Sequence, residues 1–152
     1  MARALELDVS SLKEFSKLFE KSPEITIRQT TIALKKSAFL LEAGSKKEAP
    51  VDTGRLRSSI VTTLKPFVGT ITPTVKYAEA VHEGTKPRVI VPTKRRALRF
   101  KKGGRLIFTR KVNHPGTKKN PFMDRALRKG TAGVVKIFNR AIENIVNILA
   151  DG

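Results

Sequence analysis

Ala49-Pro50-Val51-Asp52-Thr53-Gly54-Arg55-Leu56-Arg57-Ser58-Ser59-Ile60 is the stretch where the periodicity of this chain changes. Before it, apolar residues recur at helical spacing; after it, they alternate. Pro50 brings no backbone N–H with which to continue a helix. Asp52 and Thr53 can bond back to following backbone N–H groups, and Gly54 can take positive φ. The segment reads as a sharp corner from helix into strand, and it divides the chain into a helical first part and a β-rich middle.

Upstream, Ser22-Pro23-Glu24 supplies a cap, a first-turn proline and an acid near the positive end of the helix dipole. A helix to about Glu48 is predicted, with Ile27, Leu34, Ala38 and Leu41 along one face and Ile32 and Phe39 widening the stripe. Leu12, Phe15, Leu18 and Phe19 predict a shorter helix near 10–20 with Ser10 or Ser11 as its cap, so that 10–48 is helical. Downstream, Ile60, Thr62 and Leu64 form one alternating set. Phe67, Gly69, Ile71 and Val75 form another beyond Lys65-Pro66, giving two strands and a tight turn. Tyr77 to Val81 fits a helical turn or a strand edge, and Val89-Ile90-Val91 a strand. Ala97–Phe100 and Arg105–Val112 flank Lys101-Lys102-Gly103-Gly104 as a hairpin with a basic tip. Asn120-Pro121-Phe122 supplies a further cap and first-turn proline. The helix it opens carries Met123, Leu127, Val134, Ile137, Phe138, Ala141, Ile145 and Ile148 on one stripe, interrupted by Gly130 and Gly133. These glycines mark a kink or a close approach by another backbone. The order predicts an α+β fold of one domain, 1–152. N-terminal helices lead into a β-rich 58–112 with a projecting basic arm at about 86–111, and a long helix, 121–149, packs on the sheet.

The charge is concentrated. Between Gly84 and Met123 there are thirteen Lys and Arg and no Asp or Glu, within a chain whose formal net charge is +18. A local basic segment implies a surface of opposite sign, either nucleic acid or an acidic protein. Only Phe100, Phe108 and Phe122 interleave with these cations, and no Tyr or Trp is present there to stack bases. Pro87, Pro92, Gly103 and Gly104 prevent a plain helix that could enter a major groove. Contact with DNA would then be sequence-independent and made through phosphates. A solvated hairpin that merely aids solubility is the third possibility.

Little points to catalysis. His82 and His114 stand far apart and cysteine is absent, so no zinc-ligand spacing exists. Ser58-Ser59 lacks the glycine-flanked elbow of a nucleophilic serine, and no phosphate-binding loop is present. No enzymatic activity, cofactor or metal is expected. No apolar run has the length of a membrane span, and the N-terminus carries acids where a signal peptide is apolar.

Two further corners accompany the first. Tyr77-Ala78-Glu79-Ala80-Val81-His82-Glu83-Gly84-Thr85 is an amphipathic stub stopped by glycine. His114-Pro115-Gly116-Thr117-Lys118-Lys119-Asn120-Pro121-Phe122 is a rigid turn into the last helix. In this order the three motifs resemble the small tail-component family of tailed bacteriophages, tail-completion or neck proteins similar to minor tail protein Z of lambda-like phages. The matching residues are Pro50, Asp52, Thr53, Gly54, Leu56 and Arg57; Tyr77, Ala78, Gly84 and Thr85; and Gly116, Thr117, Pro121, Phe122, Ala126 and Leu127. The resemblance spans roughly 25–145 and brings no catalytic residues. It implies a virion protein of the neck or upper tail, assembled in the host cytoplasm and acting in a homo-oligomeric ring. Its partners would be connector or terminator and tail-tube proteins, with non-specific contact to DNA in the neck. Candidate charged contacts are Arg55, Arg57, Arg88, Lys94, Arg95, Arg96, Arg99, Lys101, Lys102 and Arg105.

Overall fold

The computed structural model describes residues 5–8, 23–93 and 96–150. The helix expected near 10–20 lies outside the described residues, as do Lys94 and Arg95. Helix α1 spans Pro23–Glu48, starting on its proline and ending two residues before Pro50. A single turn, α2 (Arg55–Ser58), leads into strand β2 (Ile60–Lys65), which pairs with β3 (Val68–Pro73). A strand the periodicity did not announce, β1 (Leu5–Asp8), lies on the other side of β3. The sheet order is therefore β1-β3-β2, antiparallel throughout. Phe67, expected within the second strand, instead sits in the tight turn at φ 64°.

The α+β architecture is as the sequence predicts, and β3 shows why it forms. Gly69, Ile71 and Pro73 are its buried set, alternating with half-buried neighbours, so one sheet face meets α1 while the other stays open. Gly69 sits at that contact. A Cβ there would stand 3.3 Å from Leu34 Cδ1 and 3.4 Å from Ala38 Cβ, both buried residues of α1. Ile60, Ile71, Ala38, Leu41, Phe122 and Met123 belong to one buried cluster, to which Leu5 of β1 adds its side chain.

Helix α1 buries the expected face only in part. Leu34, Ala38 and Leu41 are inside, but Ile27 and Ile32 are exposed and Phe39 is 56% accessible. Thr26, Thr30, Ala33, Ser37 and Ser45 take their place. The reason is that α1 carries two neighbours, the sheet and the long helix α4 (Phe122–Ala150). Two close packings on a single helix favour small side chains over a broad apolar stripe. Thr30 satisfies its hydroxyl within the helix, donating to the Thr26 carbonyl at 2.8 Å.

The chief partner of α4 is α1 rather than the sheet, which corrects the expectation that the last helix packs on the strands. Its first turn still reaches the common core through Phe122 and Met123. The helices meet where residues are small. A Cβ on Gly44 would lie 3.7 Å from the Ala126 Cβ, and one on Gly133 would stand 3.2 Å from Leu40 Cδ1. At Gly130 a Cβ would fall 2.5 Å from Cδ2 of buried Leu41. The two α4 glycines thus mark close approach, by leucine side chains rather than by backbone. Farther along, Ala141 and Ile145 are buried, whereas Leu127 and Ile148, expected on the apolar stripe, are exposed.

Gly130→Ala separates packing from helix propensity. Alanine favours a helix interior by up to about 1 kcal/mol, yet its methyl collides with a core leucine. Overpacking of this kind costs about 1–3 kcal/mol. Thermal and urea melts should therefore show net destabilisation; an unchanged or raised midpoint would contradict the tight crossing.

Candidate assembly surface

Beyond the sheet, Tyr77 leads into α3 (Ala78–Glu83), so that stub is helical. Strand β4 (Arg88–Ile90) follows, then the hairpin of β5 (Leu98–Lys102) and β6 (Arg105–Thr109), then β7 (Val112–His114). The segment expected as one strand, Arg105–Val112, is broken after Thr109. Thr109 Oγ1 donates to the Lys111 carbonyl at 2.9 Å and bends the chain there. Strand β7 then leaves β6 and pairs with β4. The basic arm is consequently two ribbons in series: β4–β7 at its base and β5–β6 at its tip.

The base is anchored where the second and third motifs meet. Thr85 and Thr117 exchange backbone hydrogen bonds, N–H to O at 3.0 and 3.1 Å, as an isolated antiparallel bridge. Their hydroxyls lie 3.0 Å apart, and the Thr117 N–H also reaches Thr85 Oγ1 at 3.1 Å. Each threonine follows a glycine with positive φ, Gly84 at 75° and Gly116 at 87°. A Cβ on Gly84 would lie 2.6 Å from the Thr117 carbonyl oxygen, and one on Gly116 would lie 2.2 Å from that of Thr85. Both Gly-Thr pairs are thus halves of one clasp. His114 Nδ1 accepts the Gly116 N–H at 3.0 Å and fixes the preceding turn. The Asn120 N–H donates to the Val81 and His82 carbonyls at 3.2 and 3.1 Å, binding α3 to the start of α4.

Side chains reinforce the junction. His82 is 2% exposed, presents its ring edge-on to buried Phe122, and donates from Nδ1 to Glu83 Oε1 at 2.8 Å. Its Nε2 lies 3.8 Å from Asp124 Oδ1, too far for a hydrogen bond. Lys119 Nζ reaches the other Glu83 oxygen at 2.7 Å. Together Lys119 and His82 hold the Glu83 carboxyl below its ordinary value, against a smaller opposing effect of desolvation. Glu48, at the end of α1, receives Lys129 Nζ at 2.6 Å and Arg125 Nε at 3.0 Å. Arg125 also donates to the Glu48 carbonyl and to Asn120 Oδ1. Asn120 therefore spends its side chain on that arginine rather than on capping α4. Lys129 and then Arg125 lower the Glu48 carboxyl. For Glu42 burial is the largest influence and raises it, but Lys46 and Thr62 outweigh that and lower it overall.

The remaining candidates fall into distinct groups. Pro121 is half-buried and Phe122 fully buried, so both build the fold. Gly54 adopts φ 79° with open space around its Cβ position, so the backbone conformation is what requires glycine. The N-cap of α2 is Gly54 itself, and Asp52 and Thr53 stand exposed before it. They line a shallow depression with Pro50, Val51, Leu56 and Tyr77, joining the first motif to the second. Arg55 and Arg57 are exposed beside it, on either side of buried Leu56. Arg88, Arg96, Arg99, Lys101 and Arg105 are exposed on the arm, and Lys102 closes β5 opposite Arg105. The Glu48–Arg125–Lys129 lock is not legible in the sequence. Its members lie 77 and 81 positions apart, and no local pattern links them. Among the described residues, no group of three or more His, Cys, Asp or Glu is placed to hold a metal ion, and no helix is long and apolar enough to cross a membrane.

Two predictions follow from these contacts. Gly116→Ala forces a methyl against the opposing backbone at positive φ, a strain of about 1–3 kcal/mol that the clasp must relieve by opening. Amide exchange at Thr85 and Thr117 should accelerate selectively, while protection along α1 and β3 persists; unchanged Thr85 and Thr117 exchange would refute the clasp. The lowered carboxyls set a pH dependence. A group whose folded value is depressed contributes fully above its unfolded value, here 4.5 for Glu48, and loses that contribution as pH falls through the depressed one. Melting temperature should be flat above about pH 5 and fall below it. The fall should be shallower in Glu48→Gln, and parallel curves for the two proteins would argue against the lock.

Comparison with known proteins follows the same boundaries. Residues 13–100 match the family model described as "Bacteriophage HK97-gp10, putative tail-component". The match takes in α1, strands β2 and β3, and the first two motifs, and ends inside β5. No curated protein and no solved structure matches. The family match covers more than half of the chain and agrees with the motif reading: the protein belongs to the HK97-gp10-like family of bacteriophage tail components.

Proposed function

We propose that this chain is a structural protein of the phage neck or upper tail that completes the tail and joins it to the head. Its role is assembly rather than catalysis. The observation that carries the reading is the division of the molecule. A helix-and-sheet body is closed by the Gly-Thr clasp, and a two-ribbon basic arm leaves that closed base. Such a shape suits a component that fixes its body in one ring and reaches a neighbouring ring with its arm. Copies arranged in a homo-oligomeric ring would present a circle of arms to connector or terminator proteins on one side and to the tail tube on the other. Membership of a tail-component family supports a place in the virion and phage structural proteins as partners.

The acid-free stretch from Gly84 to Met123 favours one second reading, sequence-independent contact with nucleic acid. Deletion of the coding sequence from the phage distinguishes the two. Tail completion predicts filled heads and unattached tails in electron micrographs, restored by the gene in trans, with the protein present in purified particles. Normal particles lacking the protein, together with tight duplex binding that falls steeply with salt, would favour the second reading and defeat the first.

A further inference from the structure

The tip ribbon β5–β6 has the composition of a protein-docking face. Antiparallel register places Arg99 opposite Phe108 and Lys101 opposite Leu106. Directly opposed residues project from the same side of a ribbon, and alternate positions share that side. These four side chains therefore form one face, and all four are exposed. Phe108 is 64% accessible and Leu106 47%. The strands pack on each other and substantially on no other described element. An isolated two-stranded ribbon is marginal in water, and one that exposes a phenylalanine and a leucine between cations gains most by covering that face.

Resting on the assembly role proposed above, we infer that the Arg99–Lys101–Leu106–Phe108 face docks on another virion protein, at an apolar hollow bordered by carboxylates. Duplex DNA fits the face poorly. Phosphates would satisfy the two cations and leave Phe108 and Leu106 in water, because a paired duplex offers no exposed base for stacking. A second copy of this chain is also a poor match. Between Arg96 and Lys111 there are seven Lys and Arg and no acid, so the tip ribbons of two copies repel each other. An acid-rimmed apolar surface answers both halves of the face: the aromatic ring as anchor, the flanking cations for steering and register.

The test uses the full-length chain in the phage. Phe108→Ser removes the anchor and keeps every charge; Arg99→Gln with Lys101→Gln removes charge and keeps the anchor. Both should melt like the parent, since the ribbon supplies no core. Truncating a central aromatic anchor should lower the yield of joined particles by about 30-fold, while affinity for a 30-base-pair duplex stays within about twofold. A photocrosslinker at the same position, Phe108→p-benzoylphenylalanine, should link joined particles to a peptide of a different virion protein with Asp or Glu beside the linked residue. Crosslinks only to DNA, only to another copy, or none at all would overturn the inference, as would normal joining by Phe108→Ser. In that last case the protein's continued presence in particles would leave the assembly role standing; its absence from particles would remove both.

Discussion

The body of this molecule is arranged around a helix that is approached closely from two sides. Helix α1 lies between β3 and α4, and each contact is set by a missing side chain: Gly69 on the sheet, Gly130 and Gly133 on the long helix. The buried face of α1 is correspondingly poor in bulk, with Thr26, Thr30, Ala33, Ser37, Ala38 and Ser45 where a helix with one neighbour would carry leucines. Close packing of small residues compensates through dispersion contacts over a large area, since protein interiors approach crystal density. It also makes the core intolerant, because neither neighbour can retreat without uncovering the other. The ion pairs of Glu48 with Arg125 and Lys129 hold the far end of the crossing in register, where α1 stops and α4 begins.

The clasp solves a second problem, that of carrying a long basic excursion on a small body. Thr85 and Thr117 are 32 positions apart, and bridging them fixes both ends of the arm whatever its interior does. The entropy of closing such a loop grows only slowly with its length. Material between the ends can therefore be long, charged and independent of the core. Folding and partner recognition are thereby separated along the chain: glycines and threonines at the base, cations and exposed apolar side chains at the tip.

How far the sequence could be read follows from the range of each interaction. The α1 boundaries, the β2–β3 turn, the β5–β6 hairpin and the start of α4 rest on proline, glycine and alternation within a few residues, and all were legible. Strand β1 was not, because Leu5–Asp8 becomes a strand through pairing with β3 far downstream. Periodicity puts Phe39 and Ile27 on a buried stripe because it registers apolar character and not the number of neighbours a helix has. The same blindness hid the clasp. Gly84-Thr85 and Gly116-Thr117 each look like an ordinary corner, and only their mutual approach, to distances no Cβ tolerates, shows that they are one device. Asp52 and Thr53 fit a turn by residue type, and both are exposed ahead of α2.

The net charge of +18 gains meaning once its internal uses are removed. Cations of the third motif and of α4 are spent inside the body: Lys119 on Glu83, and Arg125 and Lys129 on Glu48. None of the described ion pairs involves a cation of the tip ribbon. There seven Lys and Arg stand between Arg96 and Lys111 with no acid among them, and like charges crowded on one ribbon destabilise it. The ribbon returns nothing to the core that would offset this cost. A feature that weakens its own element and serves no internal contact is kept for something outside the molecule. On this ribbon that feature includes Phe108 and Leu106 as well as the cations, so a polyanion alone would meet only half of what is exposed.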